Sequence, residues 1–260
     1  MNILEKIVVR KKEELAERKL KMPVEALMQQ PFFKRETYSL KQFLQDPTRT
    51  GIIAEFKRAS PSKGVINDKV DVVTITGAYA QHASGISVLT DTDFFGGHSA
   101  DLIAARVHSI PILRKDFMVD PYQLYEAKAM GADVILLIAA CLEIAEVKSM
   151  AKLAHQLNME VLLEIHNEAE LAHICDEVDF VGVNNRNLKT FEVDIQTSLD
   201  LISRIPADKL AIAESGISNV ATIVTLREAG FKGFLIGENF MKEADPSIAF
   251  ADFVHQLKAN

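Results

Sequence analysis

Residues 51–64 read GIIAEFKRASPSKG: an apolar run, Gly51 to Ala54, passes through Glu55-Phe56-Lys57 into a basic segment that carries Pro61 and Gly64. Residues two apart in a strand share a face, so Glu55 and Lys57 sit together where this strand ends. Two opposite charges at the exit of a buried strand are expensive to place for structure alone. The stretch has two readings. One is the rim of an active site followed by a mobile basic loop; the other is a partly buried ion pair followed by a solvated loop.

Similar apolar runs recur on the C-terminal side, at Gly85–Thr90, Ile110–Arg114, Asp133–Ile138, Glu160–Glu164, Phe180–Val183, Leu210–Glu214 and Gly233–Ile236. With Gly51–Lys57 they make eight strands. Most lack polar alternation, which suits strands covered on both faces. The intervening segments carry helix signals. Asp120-Pro121 opens one helix and Gly131 stops it; Asn167 caps EAELAHIC; Ser218 caps NVATIVTLREA, which Gly230 ends; Asp245-Pro246 opens the last. Met1 to about Gln30 forms a further helical segment. Eight strands alternating with helices point to an α/β chain, a (β/α)8 or TIM barrel, with residues 1–47 as an N-terminal helical extension over its mouth. The other candidate is an open doubly wound sheet, weakened because no G-x-G-x-x-G follows the first strand.

The 260 residues are 48% hydrophobic and 25% charged, enough for one large domain or two small ones. A net charge of −7 argues against a general nucleic-acid face. Cys141 and Cys175 stand far apart in apolar company and suggest a reducing cytoplasm. The charged N-terminus MNILEKIVVRKKEELAERK is no secretory signal, and no run of about 18 apolar residues offers a membrane span. The expectation is a cytoplasmic protein with no membrane or nucleic-acid partner, present as a monomer or weak homodimer. The seven histidines show no metal spacing, and His166 alone falls at a rim position.

In a barrel the chemistry belongs at the C-terminal strand ends. Those ends carry Glu55, Lys57 and Ser60; Thr90 and Asp91; Arg114, Lys115 and Asp116; Glu164; Asn184, Asn185 and Arg186; Glu214, Ser215 and Gly216; Gly237 and Glu238. Lys115 is the leading catalytic candidate. Burial and neighbouring cations such as Lys57 are expected to lower its pKa and suit it to proton donation, with a Schiff-base role as the other chemical option. The structural alternative pairs it with Asp116 or Glu55. Glu164 is a base, a cation partner, or half of a structural salt bridge. Glu214-Ser215-Gly216-Ile217-Ser218 and Gly237-Glu238-Asn239 resemble the phosphate site that barrels build after strands seven and eight, where glycine lets backbone N–H groups approach an anion.

The segments IIAEFKRASPSKG, VLTDTDFFGG, PILRKDFMVDPYQ, LLEIHNEAEL, GVNNRNL, AESGIS and LIGENFM together resemble the indole-3-glycerol phosphate synthase family over nearly the whole chain. The resemblance implies a decarboxylating, dehydrating ring closure in tryptophan biosynthesis. The substrate is the phosphorylated small molecule 1-(2-carboxyphenylamino)-1-deoxyribulose 5-phosphate. It implies no metal and no organic cofactor. It further implies that Lys115 is the general acid, Glu164 the second acid–base residue, Lys57 a contact to the substrate carboxylate and Glu55 the group that orients the lysines. Asn184 and Glu214 position substrate, Arg186 stands beside its carboxylate, and Ser60, Ser215, Gly216 and Gly237 contact phosphate. Glu238 departs from the family's frequent serine, so only its backbone N–H is a donor to phosphate. Related barrels such as phosphoribosylanthranilate isomerase or the tryptophan synthase α subunit lack the paired EFK and RKDF motifs. An inactive phosphate-binding barrel is the alternative outside catalysis, and the presence of Lys115 and Glu164 speaks against it.

Overall fold

The computed structural model describes residues 2–187 and 190–259. Eight parallel strands close into a barrel: β1 Ile52–Phe56, β2 Gly85–Leu89, β3 Ile112–Lys115, β4 Val134–Ile138, β5 Glu160–Ile165, β6 Phe180–Asn184, β7 Leu210–Glu214 and β8 Gly233–Ile236. β8 pairs back onto β1 with Ile53 opposite Leu235, which excludes the open doubly wound sheet. All eight coincide with the apolar runs to within three residues at either end.

The period-two alternation of each strand sorts its side chains. Ile53, Leu113, Val134, Leu136, Leu162, Phe180, Ile212 and Leu235 point inward and form the barrel interior. Ile52, Ala54, Ile112, Ile135, Leu163, Val181, Ala213 and Phe234 point outward into the larger core beneath the helices. Burial on both faces explains why the runs are continuously apolar.

Helix boundaries follow local chemistry. Asp120 accepts from the Tyr122 N–H and opens Tyr122–Met130, and Gly131 ends it with φ 92°. Asp245 caps Pro246–Lys258. Two expectations change. The cap of Val220–Ala229 is Asn219, not Ser218, because the Asn219 side chain accepts from the Thr222 N–H at 2.9 Å. Asn167 does cap its segment, but Glu168–His173 is a 3₁₀ helix; a turn or two is all that connects β5 to the next connection.

The N-terminal residues do not stay at one end of the barrel. Helix α1, Ile3–Lys21, stops before Pro23 and packs at the C-terminal strand ends, where Ile3, Leu4 and Ile7 line the main cavity. The segment then crosses to the opposite end. There Glu160 accepts from the Ser39 hydroxyl and the Leu40 N–H, and helix Leu40–Gln45 drives Leu40 and Leu44 into the interior cluster. Part of residues 1–47 therefore plugs the floor, which departs from an extension confined to the mouth. The Arg58–Gly64 segment is a short antiparallel hairpin, Ala59–Ser60 with Gly64–Val65, and Arg58 is paired with Asp101. Among the described residues no helix is long and apolar enough to cross a membrane.

Candidate active site

Registers fix which inward positions share a level. Moving up two residues for every two strands, the inward residues of the odd strands fall in one layer: Glu55 on β1, Lys115 on β3, Glu164 on β5 and Glu214 on β7. The layer below them on the odd strands is Ile53, Leu113, Leu162 and Ile212, wholly apolar. Polarity thus begins abruptly one step from the barrel mouth. The even strands leave room for it. Ser87 and Gly182 are the small inward residues beneath, and a side chain at Gly182 would collide with Glu214 Oε1. Ser87 Oγ donates to Glu55 Oε2 at 3.3 Å.

Lys115 Nζ donates to Glu164 Oε2 at 2.7 Å and to Glu214 Oε2 at 3.1 Å. Burial disfavours its charge, but Glu164, Glu214 and Glu55 outweigh burial and hold the ammonium above the ordinary lysine range. This corrects the expectation of a lowered pKa: the neighbours that matter are anions. Lys57 is turned away to Glu55, with Nζ 2.9 Å from Oε1. Nor does Lys115 pair with Asp116, which is held by Arg114 at 3.0 Å and by Lys11 at 3.1 Å.

One ammonium cannot neutralise two buried carboxylates equally. Burial pushes both up; Lys115 and His166 bring Glu164 well below the usual carboxylate range. Asn184 Nδ2 adds a hydrogen bond to Glu164 Oε1 at 3.1 Å. Glu214 keeps less help. Its Oε1 is buried without a partner, and burial together with the charges of Glu164 and Glu55 pushes it up to about 7 despite Lys115. Two carboxylates of one layer are thereby separated in proton affinity, the arrangement that acid–base sites use.

Above the layer opens a cavity of about 630 Å³. The twelve residues to which the family resemblance gives roles all line it: Glu55, Lys57, Ser60, Lys115, Glu164, Asn184, Arg186, Glu214, Ser215, Gly216, Gly237 and Glu238. Ser215 and Gly216 have consecutive positive φ, 66° and 74°, a left-handed turn in the wall of the cavity. Gly237 is glycine for another reason. A Cβ there would stand 2.9 Å from Glu55 Cβ, so the absent side chain makes the space that Glu55 occupies. Glu238 faces cations, with Arg186 Nη2 at 3.5 Å and Lys63 Nζ at 3.8 Å.

A family model described as indole-3-glycerol phosphate synthase matches residues 4–253. The chain belongs to the indole-3-glycerol phosphate synthase family. An indole-3-glycerol phosphate synthase of Bacteroides thetaiotaomicron is 43% identical over 99% of both chains, and one of Polaromonas sp. is 45% identical over 96% of this chain and 97% of its own. The barrel itself also resembles the tryptophan synthase A-subunit of Pyrococcus furiosus. That likeness has a TM-score of 0.61 at 18% identity, over 82% of this chain and 100% of that one, and shows a shared fold.

Several family-site neighbours escaped the sequence reading. Ile3, Leu4 and Ile7 reach the cavity from α1, and Phe95 and Phe117 wall it with rings 5.9 Å apart. His166 had been placed at the rim but given no task. The anchor of α1 was not anticipated either. Lys11, fully buried, pairs with Asp91 at 2.7 Å, Asp116 at 3.1 Å and Glu14 at 3.0 Å. Asp116 continues to Arg114, and Arg114 to Glu126, which Arg18 of α1 also meets at 2.9 Å. Thr90 and Asp91, read as strand-end polar residues, belong to this scaffold rather than to the cavity wall.

Proposed function

We propose that the Glu55–Lys115–Glu164–Glu214 layer converts 1-(2-carboxyphenylamino)-1-deoxyribulose 5-phosphate into indole-3-glycerol phosphate, carbon dioxide and water. As a member of its family the chain is a decarboxylating carboxy-lyase of tryptophan biosynthesis. The observation that carries the residue roles is Lys115, fixed between two carboxylates at the floor of the cavity.

The reaction forms one carbon–carbon bond, between the ring carbon bearing the carboxylate and the ketone carbon. The ketone oxygen takes a proton as that bond closes, and Lys115 Nζ supplies it. Carbon dioxide then leaves, and the electron pair of its bond neutralises the ring iminium. The former ketone oxygen departs as water on a second proton, and loss of a proton from the adjacent carbon completes the indole. Glu164, beside Lys115, serves these later transfers. Two protons enter and one leaves, so each turnover draws one proton from solvent. The carboxylates that keep Lys115 charged also restrain its proton. Protonation of Glu214, which titrates near neutrality, relaxes that restraint.

The remaining roles follow from position. Ser60, Ser215, Gly216 and Gly237 bind the substrate phosphate, with Glu238 contributing only its backbone N–H. Glu55 orients Lys57, and Lys57 and Arg186 meet the substrate carboxylate, with Asn184 holding Glu164. Helix α1 covers the mouth through Ile3, Leu4 and Ile7, which excludes water from the ring closure. The reading extends to a cytoplasmic protein, in keeping with two free cysteines, acting as a monomer or weak homodimer. The test is indole fluorescence on mixing the protein with the carboxyphenylamino-deoxyribulose phosphate, beside Lys115→Ala. Signal from the wild type alone is expected; binding without signal from either protein would move the assignment to an inactive barrel.

A further inference from the structure

The buried charges beneath the cavity do not balance among the residues given roles above. Glu55, Glu164 and Glu214 bring three carboxylates, and Lys57 and Lys115 two ammonium groups. The next cation stands behind Glu164. His166 Nε2 lies 3.2 Å from Glu164 Oε1, and Nδ1 lies 3.2 Å from Glu170 Oε2. The same Glu170 oxygen accepts from the His166 backbone N–H at 2.7 Å, and Asn167 Nδ2 donates to the other oxygen at 2.8 Å. The ring is about one-tenth exposed and is not among the residues that line the cavity.

Among the described residues, the other groups around this pair are few. Glu164 also faces Lys115 on β3, the neutral Asn184 on β6 and, across Lys115, Glu214 on β7. The Cys141 thiol follows β4, and burial with the charges of Glu164 and Glu170 pushes it up to about 12, so it stays neutral. We propose that His166 is a positioning residue: its imidazolium, anchored by Glu170, holds Glu164 as an oriented carboxylate. This rests on Glu164 being an acid–base group of the reaction. Hydrogen bonds hold both carboxylate oxygens, Oε1 from Asn184 and Oε2 from Lys115, and His166 Nε2 stands at ion-pair distance from Oε1 without a hydrogen bond of its own. Burial opposes the ring's charge, but Glu164 and Glu170 overcome it and push the imidazole up to about 10. Without that charge, Lys115 alone opposes the burial that raises Glu164.

Imidazole ¹⁵N NMR of the wild type at about pH 8 tests the charge, since an ordinary histidine, pKa about 6.5, is neutral there. The His166 signal, identified by its absence in His166→Gln, is expected to remain imidazolium, and Glu170→Gln is expected to lower the pH at which it deprotonates. A neutral wild-type ring overturns the proposal. His166→Gln keeps a donor toward Glu164 but removes the charge. Its kcat is expected to fall severalfold toward acid pH and to recover toward wild type as the pH rises, with KM within about twofold, because a raised Glu164 pKa is felt only below it. The same factor at every pH would mark a merely structural residue and refute the idea. Should His166→Gln fail to fold, the wild-type ring assigned through Glu170→Gln decides. The ring's charge is measured without substrate, so a wild type that makes no indole would overturn the proposed reaction and not this electrostatic arrangement.

Discussion

Lys115→Ala separates the two things Lys115 does. Chemically it removes the proposed acid, and loss of a positioned general acid lowers kcat by roughly 10²- to 10⁴-fold. Structurally it leaves Glu164 and Glu214, both nearly inaccessible, without their shared cation. Removing one partner of a buried pair typically destabilises by ~3–5 kcal/mol. That penalty has a definite pH dependence. In the wild type, Lys115 is held above its ordinary value, so its contribution is complete everywhere below the unfolded lysine pKa. Glu164 is held below its ordinary value, so its contribution is complete above the unfolded glutamate pKa and is lost only in acid. Between about pH 5 and pH 8 both are constant. In the variant Glu164 has lost its main cation and burial raises it, so the fold gains stability by taking up a proton as pH falls. One such proton is worth up to ~1.4 kcal/mol per pH unit, or ~4 kcal/mol across three units, which matches the penalty. Glu214 titrates near 7 in the wild type as well, so the difference between the proteins is the quantity to follow. Urea unfolding by far-ultraviolet circular dichroism should show a deficit of ~3–5 kcal/mol at about pH 8 that nearly vanishes at about pH 5. Equal deficits at both values would show that Lys115 does not neutralise these carboxylates, and near-normal turnover would remove it from the chemistry.

Three further outcomes are expected. Ser215→Asp keeps a residue type that tolerates positive φ but places a charge at the proposed phosphate; KM should rise on the order of 10- to 100-fold with thermal stability little changed, and an unaltered KM would put the phosphate elsewhere. Gly237→Ala inserts a methyl against Glu55, so a loss of ~1–3 kcal/mol in thermal unfolding is expected together with reduced kcat; a variant with wild-type stability and rate would show that Glu55 has room to move. Lys11→Met leaves Asp91 without its cation and Asp116 with Arg114 alone, and should destabilise by ~3–5 kcal/mol, with α1 becoming the first site of limited proteolysis; protection equal to wild type would mean the apolar contacts of Ile7 and Leu15 suffice.

The strands were legible because each is buried on both faces and reads as a short apolar run, and the polar strand ends were legible because alternation carries inward facing from Ile53 to Glu55 and from Leu162 to Glu164. What was not legible depends on pairs distant in sequence. Lys115 meets its carboxylates across 49 and 99 residues; strand ends put Lys57 and the carboxylates on one rim alike, and only the spatial pairing shows that the anions stand against Lys115 while Lys57 turns to Glu55. The Lys11 anchor and the floor helix Leu40–Gln45 are of the same kind: nothing local tells that Lys11 is buried or that Leu40 enters the barrel. Ser218 and Asn219 are both good caps, and only the hydrogen bond to Thr222 separates them. His166 lacked any metal-like spacing, and its partner Glu170 lies four residues on, beyond the Asn167 cap, a signal visible in the sequence once Glu164 is known to face inward.

Helix α1 is secured most heavily from Arg10 onward, by Arg10 on Asp93 and by Lys11, Leu15 and Arg18, while Ile3 and Leu4 reach out to the cavity beyond the buried Ile7. Ile3 and Lys11 are about two turns apart, roughly 12 Å along the axis. The helix is therefore a cantilever, clamped along one half and loaded at its tip. One residue inserted between Ile7 and Lys11 would swing the tip by about 100° and carry its apolar face off the cavity with the clamp untouched. The contribution of the first turn to ligand retention can in this way be probed apart from the anchor that ties the helix to the barrel.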